Sequence, residues 1–295
     1  MGQALDRLKT ALQAFTRYVP HDLVKSVLKT GKEVRLGGET AYVTVMFADV
    51  VGFSTSAEQL PPDEVVRILS VFLQEVDQVV RKHDGLVVQN VGDCVMAIWD
   101  APIRTCGEPE KRACAAALDY VLQSSNPTSE RPLEGRIGIH SGYAVVGNVG
   151  SDDVMSYTAI GDAVNVSSRI EGLTRIYGAK NLISEATAGA ALDAFEMRRI
   201  DTVVLKGRTA ALHIYEILAR KGQLSPERAE LRQRYESGLR LYQENDFAAA
   251  AEEFDHALQI DPLDRPSQVL LDRCLRYKIQ PPANDWAGTF AVEYK

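Results

Sequence analysis

Apolar and polar positions change period several times along this chain. In residues 1–38, Leu5, Leu8, Leu12 and Phe15 recur at helical spacing, and a second short helix, His21 to Leu28, follows Pro20. Gly31, Gly37 and Gly38 then close that segment. The run AYVTVMFA, Ala41 to Ala48, is mostly apolar and β-branched, the pattern of a buried central strand. From Pro61 to Lys82 the apolar residues Val65, Ile68, Leu69, Phe72, Leu73, Val76, Val79 and Val80 line one helical face. Two hairpins are expected: Leu86–Asn90 with Cys94–Trp99 about a tight Gly92-Asp93 turn, and Gly135–His140 with Ala144–Val149 about Ser141-Gly142. Ala113–Leu122 and Asp162–Tyr177 read as helices, and Asn181–Ser184, Arg198–Val204 and His213–Leu218 as strands. This order suggests an antiparallel-rich sheet with helices on one side, an α+β arrangement.

Residues 225–278 are helical in pattern. Gly238, Ala250, Phe254, Ala257 and Pro262 fall at the spacing of one tetratricopeptide-type helix pair. A single such unit cannot bury its face alone, so it must pack on the main domain, on the next helix (Ser267–Tyr277) or on a protein partner. Residues 279–295, with Pro281-Pro282, read as a tail.

Composition adds limits rather than a function. The 295 residues are 45% hydrophobic and 25% charged, ordinary for a globular protein. The net charge of −7 argues against general nucleic-acid binding. No apolar run approaches the ~20 residues that span a bilayer, and the N-terminus lacks the apolar core of a secretory signal. The four cysteines have no metal-ligand spacing, which suits reduced thiols and a cytoplasmic setting.

Four segments carry candidate chemistry. In Phe47-Ala48-Asp49-Val50-Val51-Gly52-Phe53-Ser54 an aspartate stands at a strand end, before a loop whose N–H groups suit phosphate; capping of the next helix is the bland alternative. In Val91-Gly92-Asp93-Cys94 an aspartate occupies a hairpin turn, a common arrangement by itself. Two such carboxylates at one end of a sheet repel unless a cation lies between them. In Arg136-Ile137-Gly138-Ile139-His140-Ser141-Gly142 an arginine starts an apolar strand, either solvated or clamping phosphate. In the run Tyr157 to Glu171, Asn165 and Arg169 are four apart on one helical face, and Asp162 reads as the helix N-cap.

Taken together, and with the closing Leu205-Lys206-Gly207 and Tyr215-Glu216 strand pair, these segments resemble class III adenylate and guanylate cyclases over about residues 39–219. The resemblance implies a ferredoxin-like βαββαβ core and a head-to-tail homodimer with active sites between subunits. It implies that Asp49, Asp93 and the Val50 carbonyl hold two Mg²⁺ or Mn²⁺ ions. Arg136 would meet phosphate on the same subunit, beside the Gly52, Phe53 and Ser54 loop, with Lys206 and Arg208 as further positive charge. The other subunit would supply Asn165, which orients the ribose, and Arg169, which stabilises transition-state charge. The positions that select the base correspond to Gln89 and Thr158. Thr158 fits a subgroup of adenylate cyclases, whereas Gln89 matches neither the usual lysine nor the usual glutamate. A glutamine amide can donate or accept, so ATP is favoured and GTP, or both, stays open. An inactive cyclase-like regulatory module is the alternative from another class; a diguanylate cyclase would need a different hairpin motif.

Overall fold

A computed structural model describes residues 35–124, 134–283 and 286–292, together with Arg7, Thr10, Val24, Lys25 and Leu28. Those five are helical; the remainder of the two expected N-terminal helices lies outside the described residues.

The core reads β1 (Gly37–Val50), α1 (Phe53–Ala57), α2 (Pro62–Lys82), β2 (Leu86–Val91), β3 (Cys94–Trp99), α3 (Pro109–Ser124) and β4 (Gly135–Gly150). The strand order β2-β3-β1-β4, with antiparallel pairing throughout this part, is the ferredoxin-like βαββαβ arrangement. The chain continues through β5 (Met155–Ile160), α4 (Asp162–Tyr177), β6 (Asn181–Ser184), α5 (Glu185–Ala191), β7 (Phe195–Val204) and β8 (Ala211–Arg220). Three helices follow, α6 (Pro226–Gln243), α7 (Phe247–Ile260) and α8 (Arg265–Ile279), and then β9 (Phe290–Ala291).

Helix α2 starts with Pro62 in its first turn beside Asp63 and Glu64 and ends with Arg81 and Lys82, which suits the helix dipole at both ends. It buries Phe72, Val76, Val79 and Val80, each contributing roughly 1.5–3 kcal/mol. These pack with α3 on Met46, Ala48 and Val50 of β1 and Ile137 and Ile139 of β4. Thus α2 and α3 share one face of the sheet, as expected.

The other face is also covered, which corrects the expectation of helices on one side only. Over β1–β3 lie Tyr157 and Ala159 of β5, and over β6–β8 lie α4 and the C-terminal helices. Helix α4 sits directly on β4 because of Gly138: a Cβ there would lie 2.1 Å from the Glu171 backbone nitrogen. Ser167 Oγ pins the same helix, donating to the Val45 and Gly138 carbonyls at 2.8 and 3.1 Å.

The expected second hairpin is absent. Residues Gly135–Gly150 form one strand that pairs continuously with β1, from Asp49 opposite Arg136 to Gly37 opposite Asn148. Ser141 is buried and hydrogen-bonded to Thr44 at 2.9 Å, and Gly142 faces Ala163, so Ser-Gly serves close packing here rather than a turn. The reversal comes later, between β4 and β5. Asp162 is also not the N-cap: Gly161, at φ +145°, holds that position, and Asp162 pairs with Arg208 at 3.1 Å. Nor is the end of the chain only a tail, since β9 pairs in parallel with β7.

Candidate active site

Asp49 is the last residue but one of β1, and the register sets Arg136 of β4 directly opposite. Arg136 Nη2 donates to Asp49 Oδ2 at 3.0 Å. The β2–β3 hairpin brings Asp93 within hydrogen-bonding reach of Asp49. Burial, and then Asp93, raise the Asp49 carboxyl above its ordinary range, while Arg136 partly offsets this. Val50 buries its side chain in the core, so only its backbone can serve the site. Gly52 follows in the left-handed region at φ +67°, turning the chain into α1 at Phe53. The Ser54 side chain lies outside the described residues.

A third carboxylate stands beside this pair and was not singled out in the sequence. Glu171 of α4 lies 3.5 Å from Arg136 Nε, measured at Oε1. Burial and the Asp49 charge push its carboxyl up to about 7. The Cys94 thiol is pushed up to about 12, first by burial and then by Asp49, Glu171 and Asp93, so it is an inert neighbour rather than a nucleophile. Glu171 lies beside the buried stripe of Ala163, Val166, Ser167 and Ile170 on α4, a placement that only the packing of the helix reveals.

Asp49, Asp93 and Arg136 are therefore brought together, but Asn165 and Arg169 are not added to them. At roughly 100° per residue, Asn165 and Arg169 share one face of α4, while Ser167 and Glu171 point to the far side. Asn165 is exposed, and Arg169 Nη1 donates to the Lys206 carbonyl in the β7–β8 turn. The Lys206 side chain is exposed there, whereas Arg208 is engaged by Asp162. Gln89 is exposed on β2 next to a register irregularity, and Thr158 sits on β5 opposite Gly147; β5 packs against β2, so the two lie on neighbouring strands.

Among the described residues no group of three or more His, Cys, Asp or Glu side chains is arranged to hold a metal ion. Two adjacent carboxylates are nevertheless a donor type that suits Mg²⁺ or Mn²⁺. Such ions take one or two protein carboxylates and complete their shell with water and substrate phosphate. No described helix is long and apolar enough to cross a membrane.

Comparison with known proteins bears on the fold and the family. The chain is 38% identical over 226 residues to adenylate cyclase 1 of Rhizobium meliloti, covering 74% of this chain and 34% of that one. It is 33% identical over 226 residues to an adenylate cyclase of Anabaena cylindrica, covering 73% and 45%. This chain thus spans less than half the length of these relatives. Among solved structures, the adenylyl cyclase CyaB of P. aeruginosa superposes with a TM-score of 0.56 at 29% identity, over 64% of this chain and 100% of that one. A guanylyl cyclase crystal structure superposes equally, with a TM-score of 0.56 at 29% identity, over 64% and 98%. The family described as the adenylate and guanylate cyclase catalytic domain matches residues 38–219, and the chain belongs to it.

Proposed function

We propose that this chain is a nucleotidyl cyclase that converts ATP to 3′,5′-cyclic AMP and pyrophosphate at sites shared by two copies. One observation carries the reading: Asp49, Asp93 and Arg136 converge on one side of α4, while Asn165 and Arg169 leave from its other side. One copy offers two half-sites that do not meet, and a symmetric dimer would complete both. An apolar patch suits such pairing. Tyr42, Tyr143, Val145 and Ile160 are exposed on β1, β4 and β5, and the two tyrosine rings lie 5.3 Å apart edge to face.

In this reading residues 39–219 are the catalytic domain, and Asp49, Asp93 and the Val50 carbonyl hold two Mg²⁺ or Mn²⁺ ions. Those ions, when bound, acidify the ribose 3′-hydroxyl and neutralise triphosphate charge. Arg136 turns from Asp49 to the phosphates, and the Gly52, Phe53 and Ser54 loop and Lys206 border them. Asn165 of the second copy holds the ribose so that O3′ lies in line with the α-phosphorus. The O3′–phosphorus bond forms, the bond to the β-phosphate oxygen breaks, and the hydroxyl proton leaves to solvent or a phosphate oxygen. Arg169 of the second copy meets the charge that grows on the transferring phosphate.

The adenylate cyclases among the relatives and Thr158 favour ATP. Gln89 favours the second reading, GTP or both nucleotides, because an uncharged amide discriminates weakly between the two bases. The purified chain incubated with Mn²⁺ and either nucleotide, with products separated by chromatography, tests both. Cyclic AMP and pyrophosphate are expected; no cyclic product from either nucleotide would refute the enzyme reading.

A further inference from the structure

Arg136 stands between two carboxylates, and only one of them is a proposed metal ligand. Its Nη2 reaches Asp49, while its Nε faces Glu171 Oε1 across 3.5 Å. The Arg136 and Glu171 side chains are only 9% and 15% exposed. Neither the Nε nor the Oε1 atom has a hydrogen-bond partner among the described residues. A buried donor and a buried acceptor, each unpaired and 3.5 Å apart, are well under one ångström from the length of a charge-assisted bond. The backbone holds them there. Gly138, two residues from Arg136, lets α4 contact β4 at Glu171 itself, and Ser167 ties α4 to β1 and β4 one turn earlier. The Glu171 backbone cannot withdraw without lifting α4 from the sheet.

Resting on the cyclase reading above, we propose that Glu171 is a positioning residue for Arg136. It anchors the guanidinium at Nε, so that the Nη end can leave Asp49 and turn to phosphate. Asp49 cannot serve Arg136 and a metal ion fully at once. With Asp49 as its sole partner, Arg136 would be a buried cation that any metal ion must strip of that partner. Glu171 keeps an acceptor oxygen at Nε on the other side of the arginine, and so frees Asp49.

The test uses the full-length chain and calorimetric titration with Mn²⁺ and pyrophosphate, which requires no turnover. Glu171→Ala is expected to weaken binding about tenfold or more. Glu171→Gln, which keeps an oxygen for Nε, is expected to recover a large part of it, with thermal unfolding confirming that the variants are folded. If Glu171→Ala does not fold, Glu171→Asp, which draws the carboxylate back by one methylene, takes its place with the same expectation. Binding unchanged in the shortened variant, or weakened equally in Glu171→Gln, overturns the inference and leaves the cyclase reading standing. Absence of binding by the unaltered chain overturns that reading and this inference with it.

Discussion

At the scale of single residues, the site sets charge against stability. Burial opposes the ionisation of Asp49, and the nearby Asp93 adds to the opposition. Asp49→Asn keeps an oxygen for Arg136 and removes one charge. It should lower turnover by about 10²–10³-fold without lowering the unfolding temperature, measured by pyrophosphate release beside calorimetry. A parallel fall in both would make Asp49 a structural residue. Asp49, Asp93 and Arg136 were legible in the sequence because each stands at a strand end or turn, and Asn165 and Arg169 because they lie one helical turn apart. Glu171 was not, because a glutamate on a helix reads as solvated until the helix face is known. Its role depends on β4 approaching α4 at Gly138, a contact between residues 33 apart in the chain that no local pattern reveals.

At the scale of elements, the error over β4 is instructive. Ser141-Gly142 has turn composition, yet both residues lie inside a 16-residue strand. Serine is tolerated there because Thr44 and Thr187 satisfy its hydroxyl, each at 2.9 Å, and glycine because Ala163 packs close. Local turn preference gave way to a tertiary requirement. The same logic predicts that Gly138→Ala is far more harmful than its size suggests, since the new methyl meets the backbone of α4. Loss of more than about 2 kcal/mol in denaturant unfolding, together with loss of nucleotide binding, is expected. Little change in either would mean that α4 is not seated as described.

A second junction joins α2, α3 and β8 through Asp119, which accepts from Lys82 at 2.7 Å and Arg220 at 2.8 Å and lies 2.8 Å from His83 Nε2. Burial alone would raise this carboxyl, but the three bases outweigh it and hold it down at about 2. Its folded-state value lies below its ordinary one of about 4. Its contribution to stability is therefore present above pH ~4 and is lost as the pH falls through ~2. Asp119→Asn should lose about 1–3 kcal/mol at neutral pH and show a flatter decline of unfolding free energy between those limits. An identical acid profile in both proteins would contradict this account of the junction.

At the scale of the whole molecule, the C-terminal helices share a core with the sheet. Tyr235, Leu239, Tyr242, Phe254 and Leu270 pack with Val166, Ile170, Leu173 and Tyr177 of α4. Buried charge crosses the same boundary. Asp201 of β7 accepts from Tyr177 Oη and from Arg273 of α8, each at 2.6 Å, and Arg198 of β7 is held by Asp264 at 2.6 and 3.0 Å. The helical spacing of residues 225–278 was plain in the sequence, but what covers that face could not be read from it, because the covering residues lie on α4, β7 and β9. Tyr177 ends the helix that carries Asn165, Arg169 and Glu171, so the C-terminal unit bears on the catalytic helix at its far end. Arg273→Ala leaves Asp201 buried with its charge uncompensated. It should lose about 3–5 kcal/mol in chemical denaturation, whereas a loss within error of zero would show the unit to be only loosely attached.

The central claim is that each active site takes Asp49, Asp93 and Arg136 from one copy and Asn165 and Arg169 from another. Asp49→Ala and Arg169→Ala should each be inactive alone. Mixed in equal amounts after subunit exchange, they form heterodimers in which one site of the two is intact. With random pairing, activity should return to about one quarter of that of the unaltered protein. No recovery, from two folded variants shown to exchange subunits, would contradict the shared site.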